Sequence, residues 1–153
     1  MNAALACHVN YPALFAMISS MTAPVQIRQP CPPAACICGR AELSDIAESD
    51  LRILRLTRHE EGRLIERLEN LASLEDLEHM QLQLYQKLGI RLAVSPGSNE
   101  VRSMRGIRIE LAELPGLCRK TRQAIPAAIR RAMERRPEIA YNLLNAHDLL
   151  RDA

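Results

Sequence analysis

Aromatic side chains are almost absent from this 153-residue chain, which contains no Trp, one Phe and three Tyr. The core must therefore be built from aliphatic residues and Met, and Leu, Ala and Met all favour helices. The shortage also argues against single-stranded nucleic acid as a ligand, because its bases stack on aromatic rings and only Tyr141 lies near the basic C-terminal region. We therefore expect a helix-dominated domain.

Positive charge is absent from the first 27 residues, since the first cation is Arg28. Asn10 and Pro12 interrupt the apolar run at the start, which argues against both a secretory signal and a membrane-spanning helix. We interpret residues 1–20 as a disordered tail or an over-extended start, with Met21 as the natural beginning. We accordingly expect a cytoplasmic protein with reduced thiols and no membrane partner, and an odd number of cysteines, five, agrees with that.

Prolines are concentrated ahead of the body of the chain, with four of the nine in residues 22–40. Proline lacks a backbone donor and fixes φ, so regular structure is not expected there. The sequence predicts a disordered, Pro-rich, Cys-bearing N-terminal segment at 1–40 and a single small α+β domain at 41–153. A domain of about 110 residues can fold without the help of disulfides.

Hydrophobic periodicity predicts a helical hairpin at about 58–88. Thr57 and Glu60 form a capping-box pattern at the start of the first helix, and Ser73 suits the N-cap of the second. Gly89 is typical of a helix C-terminus. The short turn between the two helices predicts that they lie antiparallel.

The hydrophobic period changes from helical to alternating after Gly89. The alternation predicts a β-hairpin at about 90–111, and the aliphatic run at 51–56 suits a third strand beside it. Two C-terminal helices are expected at about 119–150, separated near Pro137. Pro126 is expected to bend or restart the first of them. Together these elements predict an α+β fold in which helices dominate.

The cysteines are unevenly distributed along the chain. Those that could act together are Cys31, Cys36 and Cys38 in the stretch CPPAACICGR, and the distant Cys118. Four thiolates are enough for zinc or an iron–sulfur cluster, but the spacing C-x4-C-x-C matches neither the paired C-x2-C of zinc modules nor the ferredoxin patterns. The alternatives are reduced cysteines in a mobile segment, or reversible oxidation that pairs Cys36 with Cys38 or Cys31.

Cys118 also has an interpretation of its own, as a reactive thiol. It precedes Arg119 and Lys120 at the predicted start of a helix, and both features lower the pKa of a thiol. Free cysteine is also among the residues most often buried, which is the structural interpretation of the same residue.

Basic residues are in excess only toward the C-terminus: residues 1–99 hold nine Arg and Lys against eleven Asp and Glu, whereas residues 100–153 hold eleven against seven. The candidate nucleic-acid-binding residues are Arg119, Lys120, Arg122, Arg130, Arg131, Arg135 and Arg136. Neutralisation of phosphates by Arg and Lys is the dominant contribution to nucleic-acid affinity. Two short helices could bind a duplex with one helix across the backbone and the other in the major groove. The alternatives are an acidic protein partner and a solvated face on which Glu134 and Glu138 pair with arginines.

These patterns favour a non-enzymatic regulatory or interaction protein that binds nucleic acid, duplex DNA above all, or another polyanion through its Arg-rich C-terminal helices. The first alternative is a metal-binding or thiol-redox-responsive protein that uses the cysteines, with zinc or an iron–sulfur cluster as the cofactor. The second is a protein–protein adaptor. An enzyme or a small-molecule substrate is not expected, because the sequence lacks a recognisable set of nucleophile, base and orienting residue.

Overall fold

Five α-helices and a two-stranded antiparallel sheet make up the fold in the residues that a computed structural model describes, which are 26–45, 49–97 and 103–148. The helices are α1 (Arg40–Asp45), α2 (Arg58–Glu69), α3 (Leu74–Leu88), α4 (Arg119–Arg135) and α5 (Pro137–Ala146). The strands are β1 (Leu92–Pro96) and β2 (Ile107–Leu111). The helix-dominated α+β prediction is confirmed, including its helical hairpin (α2 and α3), its β-hairpin and its two C-terminal helices.

Side-chain caps define the helical hairpin, as the sequence predicts. The Thr57 side chain accepts a hydrogen bond from the Glu60 N–H, and the Ser73 side chain accepts one from the Asp76 N–H. Each N-cap thus gives a partner to one of the backbone N–H groups in the first turn of its helix. Gly89 ends α3 in the left-handed conformation, with φ of 73°. Arg67 of α2 and Asp76 of α3 form an ion pair across the turn.

The aliphatic run at 51–56 does not add a third strand to the sheet. It forms a 3-10 helix over Leu51–Arg55, because the Asp50 side chain accepts from the Arg52 N–H and starts a helical turn there. Ile53 of this turn is fully buried. The two strands pair in the register Leu92 with Leu111 and Pro96 with Ile107.

Helix α4 supplies much of the core and packs against α2. Ile125 and Ile129 are fully buried there with Leu68 of α2. Pro126 lies on α4 without dividing it, since a single helix runs from Arg119 to Arg135. Pro137 occupies the first turn of α5, the position at which its missing N–H is tolerated.

The described part of the predicted N-terminal segment lies against the body. Residues 26–39, which we call the strap, contain no helix or strand and lead into α1. The Arg28 N–H donates to the Leu54 carbonyl (2.7 Å), and the Gly116 N–H donates to the Cys38 carbonyl (2.5 Å). Residues 1–25, with the predicted tail and Cys7, lie outside the described residues, and the division at 40/41 stays a prediction. A helix of sufficient length and apolarity to cross a bilayer is not found in the described part of the chain.

Candidate metal centre

The first part of the strap is reversed by a turn between two cysteines. The Ala35 N–H donates to the Pro32 carbonyl (3.1 Å), and Ala34 has a positive φ of 63°. Pro33 fixes its own φ, which suits the second position of such a turn. The turn brings Cys36 back toward Cys31 although four residues separate them in sequence.

The last strap cysteine is followed by a second tight turn. Gly39 takes the left-handed conformation, with φ of 68°, and the Arg40 N–H donates to the Cys38 sulfur. Helix α1 begins at Arg40 itself. A backbone donor aimed at a sulfur stabilises that sulfur as a thiolate.

The fourth cysteine comes from the body and is placed by a Pro-Gly turn. The Leu117 N–H donates to the Leu114 carbonyl (3.2 Å), and Gly116 has φ of 86°. Cys118 follows as the N-cap residue of α4, and its own side chain makes no capping hydrogen bond. Its sulfur therefore faces the strap from the positive end of a 17-residue helix.

The sulfurs of Cys31, Cys36, Cys38 and Cys118 all lie within 4.8 Å of one another; we call this set the four-cysteine cluster. The Cys31 and Cys118 sulfurs are 3.6 Å apart, although 87 residues separate the two in sequence. Zinc–sulfur bonds of about 2.3 Å in a tetrahedron place neighbouring sulfurs about 3.8 Å apart. All four thiols are free and partly exposed. The fold thus brings together the candidate metal ligands that the sequence identified.

Arg28 lies beside the cluster and was not identified from the sequence as part of any site. Its Nη2 atom donates to the Gly116 carbonyl at 2.6 Å and lies 3.9 Å from the Cys38 sulfur. The only signals for it were its position three residues before Cys31 and its being the first charge in the chain. Those signals identify no partner, because Gly116 is distant in sequence.

The electrostatics of the cluster favour one thiolate and oppose a second. Burial alone raises the pKa of the Cys38 thiol, but hydrogen bonds from the Arg40 N–H and Cys36, with the charge of Arg28, outweigh it and lower the pKa. Burial, together with the hydrogen bond with Cys31, raises the pKa of the Cys118 thiol to about 12, although the Arg28 charge opposes this rise. The expectation of a low pKa at Cys118 is therefore wrong. A bound cation reverses this balance, since a coordinated thiol is deprotonated outright.

The basic candidates divide into two groups. Five of them lie within an arc of roughly 160° on α4 at 3.6 residues per turn, a surface we call the basic face: Arg119, Lys120, Arg130, Arg131 and Arg135. Arg122 points elsewhere on the helix and lies 3.8 Å from Glu113, and Arg136 follows the helix. The structure therefore collects most of these residues on one surface.

Several of these cations already have partners in the fold. Arg131 forms an ion pair with Glu69 of α2, and Arg135 lies 4.0 Å from the same carboxylate. Arg136 donates to the carbonyls of Asn70 and Leu71, at the end of α2. Arg119, Lys120 and Arg130 are exposed and make no ion pair with another residue in the described ranges.

A wide groove runs between α2 and α3 on another part of the surface. Leu64 and Met80 contribute to its apolar lining, and Arg63 and Glu60 on its rim lie 3.6 Å apart. Gln26, where the strap begins, also lines it. The residues that line the groove include none of the four-cysteine cluster, so it is a separate feature.

In comparisons with known proteins, no family model, curated protein or solved structure matches this chain significantly.

Proposed function

We propose that the protein binds one divalent metal ion, zinc above all, through the four-cysteine cluster, and that the ion fastens the strap to the body. The observation that carries this proposal is the distance of 4.8 Å or less between every pair of the four sulfurs. Sulfurs around a single tetrahedral ion have this spacing. Soft thiolate donors select zinc or iron over magnesium or calcium.

The same distance favours one ion over an iron–sulfur cluster. A cluster binds its thiolates on different iron atoms, which inorganic sulfide bridges, so those thiolates lie farther apart than thiolates that share one ion. The arrangement also agrees with a structural role, because structural zinc sites are closed by four protein ligands whereas catalytic sites keep one position open.

The test is metal analysis of protein purified under anaerobic, reducing conditions. We expect one zinc per chain, no colour, and strong visible absorption typical of a tetrahedral thiolate site after cobalt(II) replaces zinc. Cys118→Ser should abolish the cobalt absorption, and Cys7→Ser, which removes the fifth cysteine of the chain, should leave it unchanged.

Three other results would contradict the single-ion proposal. Iron with equimolar sulfide would indicate a cluster. A metal-free protein in which a mild oxidant pairs these thiols would support the thiol-redox alternative. A metal-free protein with no such pairing would leave the cysteines as ordinary free thiols.

A second proposal keeps the nucleic-acid function expected from the sequence and assigns it to the basic face. Its support is the shared orientation of five cations on α4, of which Arg119, Lys120 and Arg130 remain exposed. Duplex DNA is the favoured ligand. The competing partner is an acidic protein, in which case this chain would act as a protein–protein adaptor.

Salt dependence tests this second proposal. The logarithm of the affinity for duplex DNA should fall linearly with the logarithm of salt concentration, with a slope of about −0.9 per phosphate contacted. Replacing Arg119, Lys120 and Arg130 by Gln should make the slope less negative by up to about 2.7. Arg58→Gln, an exposed arginine on α2, is the control. Weak binding with a flat salt response would exclude the proposal.

A further inference from the structure

The charge of a tetrathiolate site requires compensation from the protein. Four thiolates around a divalent cation carry a net charge of about −2. The four cysteines are only partly exposed, and burying net charge without a counter-charge is unfavourable. The N-terminus of α4 and the Arg40 N–H supply partial positive charge at Cys118 and Cys38. Neither of them carries a full charge.

Arg28 carries a full positive charge beside the cluster, and the fold holds it in place at two points. Its own N–H donates to the Leu54 carbonyl at 2.7 Å, which fixes the backbone. Its Nη2 donates to the Gly116 carbonyl at 2.6 Å, which fixes the guanidinium. The same Nη2 lies 3.9 Å from the Cys38 sulfur.

The Arg28 guanidinium also retains an unsatisfied donor. Its Nε atom is buried and has no hydrogen-bond partner within the described part of the chain. Buried donors of this kind are uncommon in folded proteins, so one without an acceptor requires an explanation. Neutral thiols are weak acceptors, whereas metal-bound thiolates carry the negative charge that a guanidinium needs.

From these contacts we infer that Arg28 is a positioning residue for the metal centre: its guanidinium is the counter-charge of the metal–tetrathiolate group and orients Cys38. The inference depends on the metal-binding function proposed above. In this inference Arg28 interacts with the sulfurs that bind the ion and does not bind the ion itself. Such partners of metal ligands typically change metal affinity by about ten- to a hundredfold.

The experiment compares the full-length wild type with three variants: Arg28→Gln, which removes the charge; Arg28→Lys, which keeps it; and the control Arg58→Gln. Zinc affinity is measured by competition with a chromophoric chelator under reducing conditions. We expect Arg28→Gln to weaken zinc binding about ten- to a hundredfold, Arg28→Lys to recover most of that loss, and Arg58→Gln to bind like the wild type.

Spectroscopy separates a charge effect from a loosened strap. Loss of a positive charge next to Cys38 raises the energy of its sulfur electrons, so the sulfur-to-cobalt absorption of Arg28→Gln should move to longer wavelength. Alkylation of the metal-loaded variant should accelerate first at Cys38, as located by mass spectrometry. Arg28→Lys should show neither change.

The outcomes distinguish this inference from the proposed function. A wild type that binds zinc while Arg28→Gln binds equally tightly with an unshifted cobalt spectrum overturns the role of Arg28 and leaves the metal site standing. Loss of affinity in both Arg28 variants to the same extent, with no spectral shift, indicates only a loosened strap and also overturns it. A wild type that takes up neither zinc nor cobalt overturns both.

Discussion

At the scale of the residue, Gly116 is where the strap and the body meet. Its N–H donates to the Cys38 carbonyl, its carbonyl accepts from Arg28, and its positive φ of 86° is a conformation that favours glycine. Cys118, two residues later, enters the four-cysteine cluster. One glycine therefore fixes both the turn and the distance between the two parts of the candidate site.

We predict that Gly116→Ala lowers the free energy of unfolding by about 2–4 kcal/mol, which combines backbone strain with overpacking. A Cβ at this position would lie 2.6 Å from Leu43 Cδ1 and 2.9 Å from Ile53 Cγ2. Urea denaturation measures the change.

Gly62→Ala is the matched control for this substitution. It lies inside α2 with open space around the added Cβ, so alanine there should stabilise by about 0.5–1 kcal/mol. Equal effects of the two substitutions would contradict the role of Gly116.

Asp76 gives a prediction for the pH dependence of stability. Its hydrogen bond with the Arg67 guanidinium, helped by the Ala72 N–H, lowers the pKa of this carboxyl in the folded protein below the ordinary value of 3.8. A lowered carboxyl pKa stabilises the fold at pH values above the unfolded pKa, and this contribution disappears as the pH falls through the folded pKa. The Asp76 side chain is 17% exposed and that of Arg67 is 46% exposed, so screening reduces the effect.

We therefore expect Asp76→Asn to lower the free energy of unfolding by about 1–2 kcal/mol at neutral pH. The difference from the wild type should shrink steadily below a pH of about 4. Urea midpoints between pH 7 and pH 2.5 measure it. Glu78→Gln, an exposed carboxylate on the same helix, should produce a smaller difference. If the difference in stability between Asp76→Asn and the wild type stayed constant with pH, the charge of Asp76 would not contribute to stability.

At the scale of the element, α4 combines a buried side with a basic face, and its cations differ in what they contact. Arg136, directly after the helix, donates to the carbonyls at the end of α2, where helix termini leave acceptors without partners. Arg130 makes no ion pair with the described residues. The sequence presents both as arginines of one basic cluster, but the structure assigns a packing role to one of them.

We predict that Arg136→Ala destabilises the protein by about 1 kcal/mol, since it removes hydrogen bonds to these carbonyls. Arg130→Ala should change stability by less than about 0.5 kcal/mol, as is usual for an exposed side chain. Thermal or urea unfolding of both variants tests the difference. If the second proposal is correct, the order reverses for DNA affinity, which Arg130→Ala should weaken more than Arg136→Ala.

At the scale of the whole molecule, the body and the strap are stabilised by different interactions. The body encloses an aliphatic core that includes Leu68, Ile125 and Ile129. The strap exposes its apolar residues, with Ile37 fully exposed and Ile27 at 60%. Hydrogen bonds made by Arg28 and Cys38 attach it to the body, and in the proposed function a metal ion in the four-cysteine cluster attaches it as well.

Metal removal should accordingly release the strap before the body unfolds. If the proposed metal site is correct, zinc at a thousand times its dissociation constant should stabilise the form with the strap attached by about 4 kcal/mol. A chelator should make trypsin cleave after Arg28 and Arg40 while the fragment that contains α2–α5 stays resistant. Cys118→Ser should be cleaved at these sites even with zinc present. If trypsin cleaved the strap and the body at the same rate after chelation, the two parts would not be stabilised independently.

Local patterns in the sequence are sufficient to predict most of the elements. The caps at Thr57 and Ser73 and the stop at Gly89 act over three or four residues, so their consequences are visible in the sequence itself. The run at 51–56 was expected as a third strand, but a short aliphatic stretch suits a helical turn equally well. The side chain of Asp50 decided it, through a bond to the Arg52 N–H.

By itself, the sequence determined the helix-dominated α+β fold and the identity of four candidate metal ligands, because residue types and local spacing carry that information. Only the tertiary structure decided that Cys118 reaches the strap cysteines, that Arg28 lies beside them, and that Arg136 contacts the end of α2. The contacts of Cys31 with Cys118, Arg28 with Gly116 and Arg136 with Leu71 each join residues more than 60 positions apart. The position of Arg28 beside Cys38 depends on its contact with Gly116. The packing of the chain sets those distances, and no local pattern encodes them.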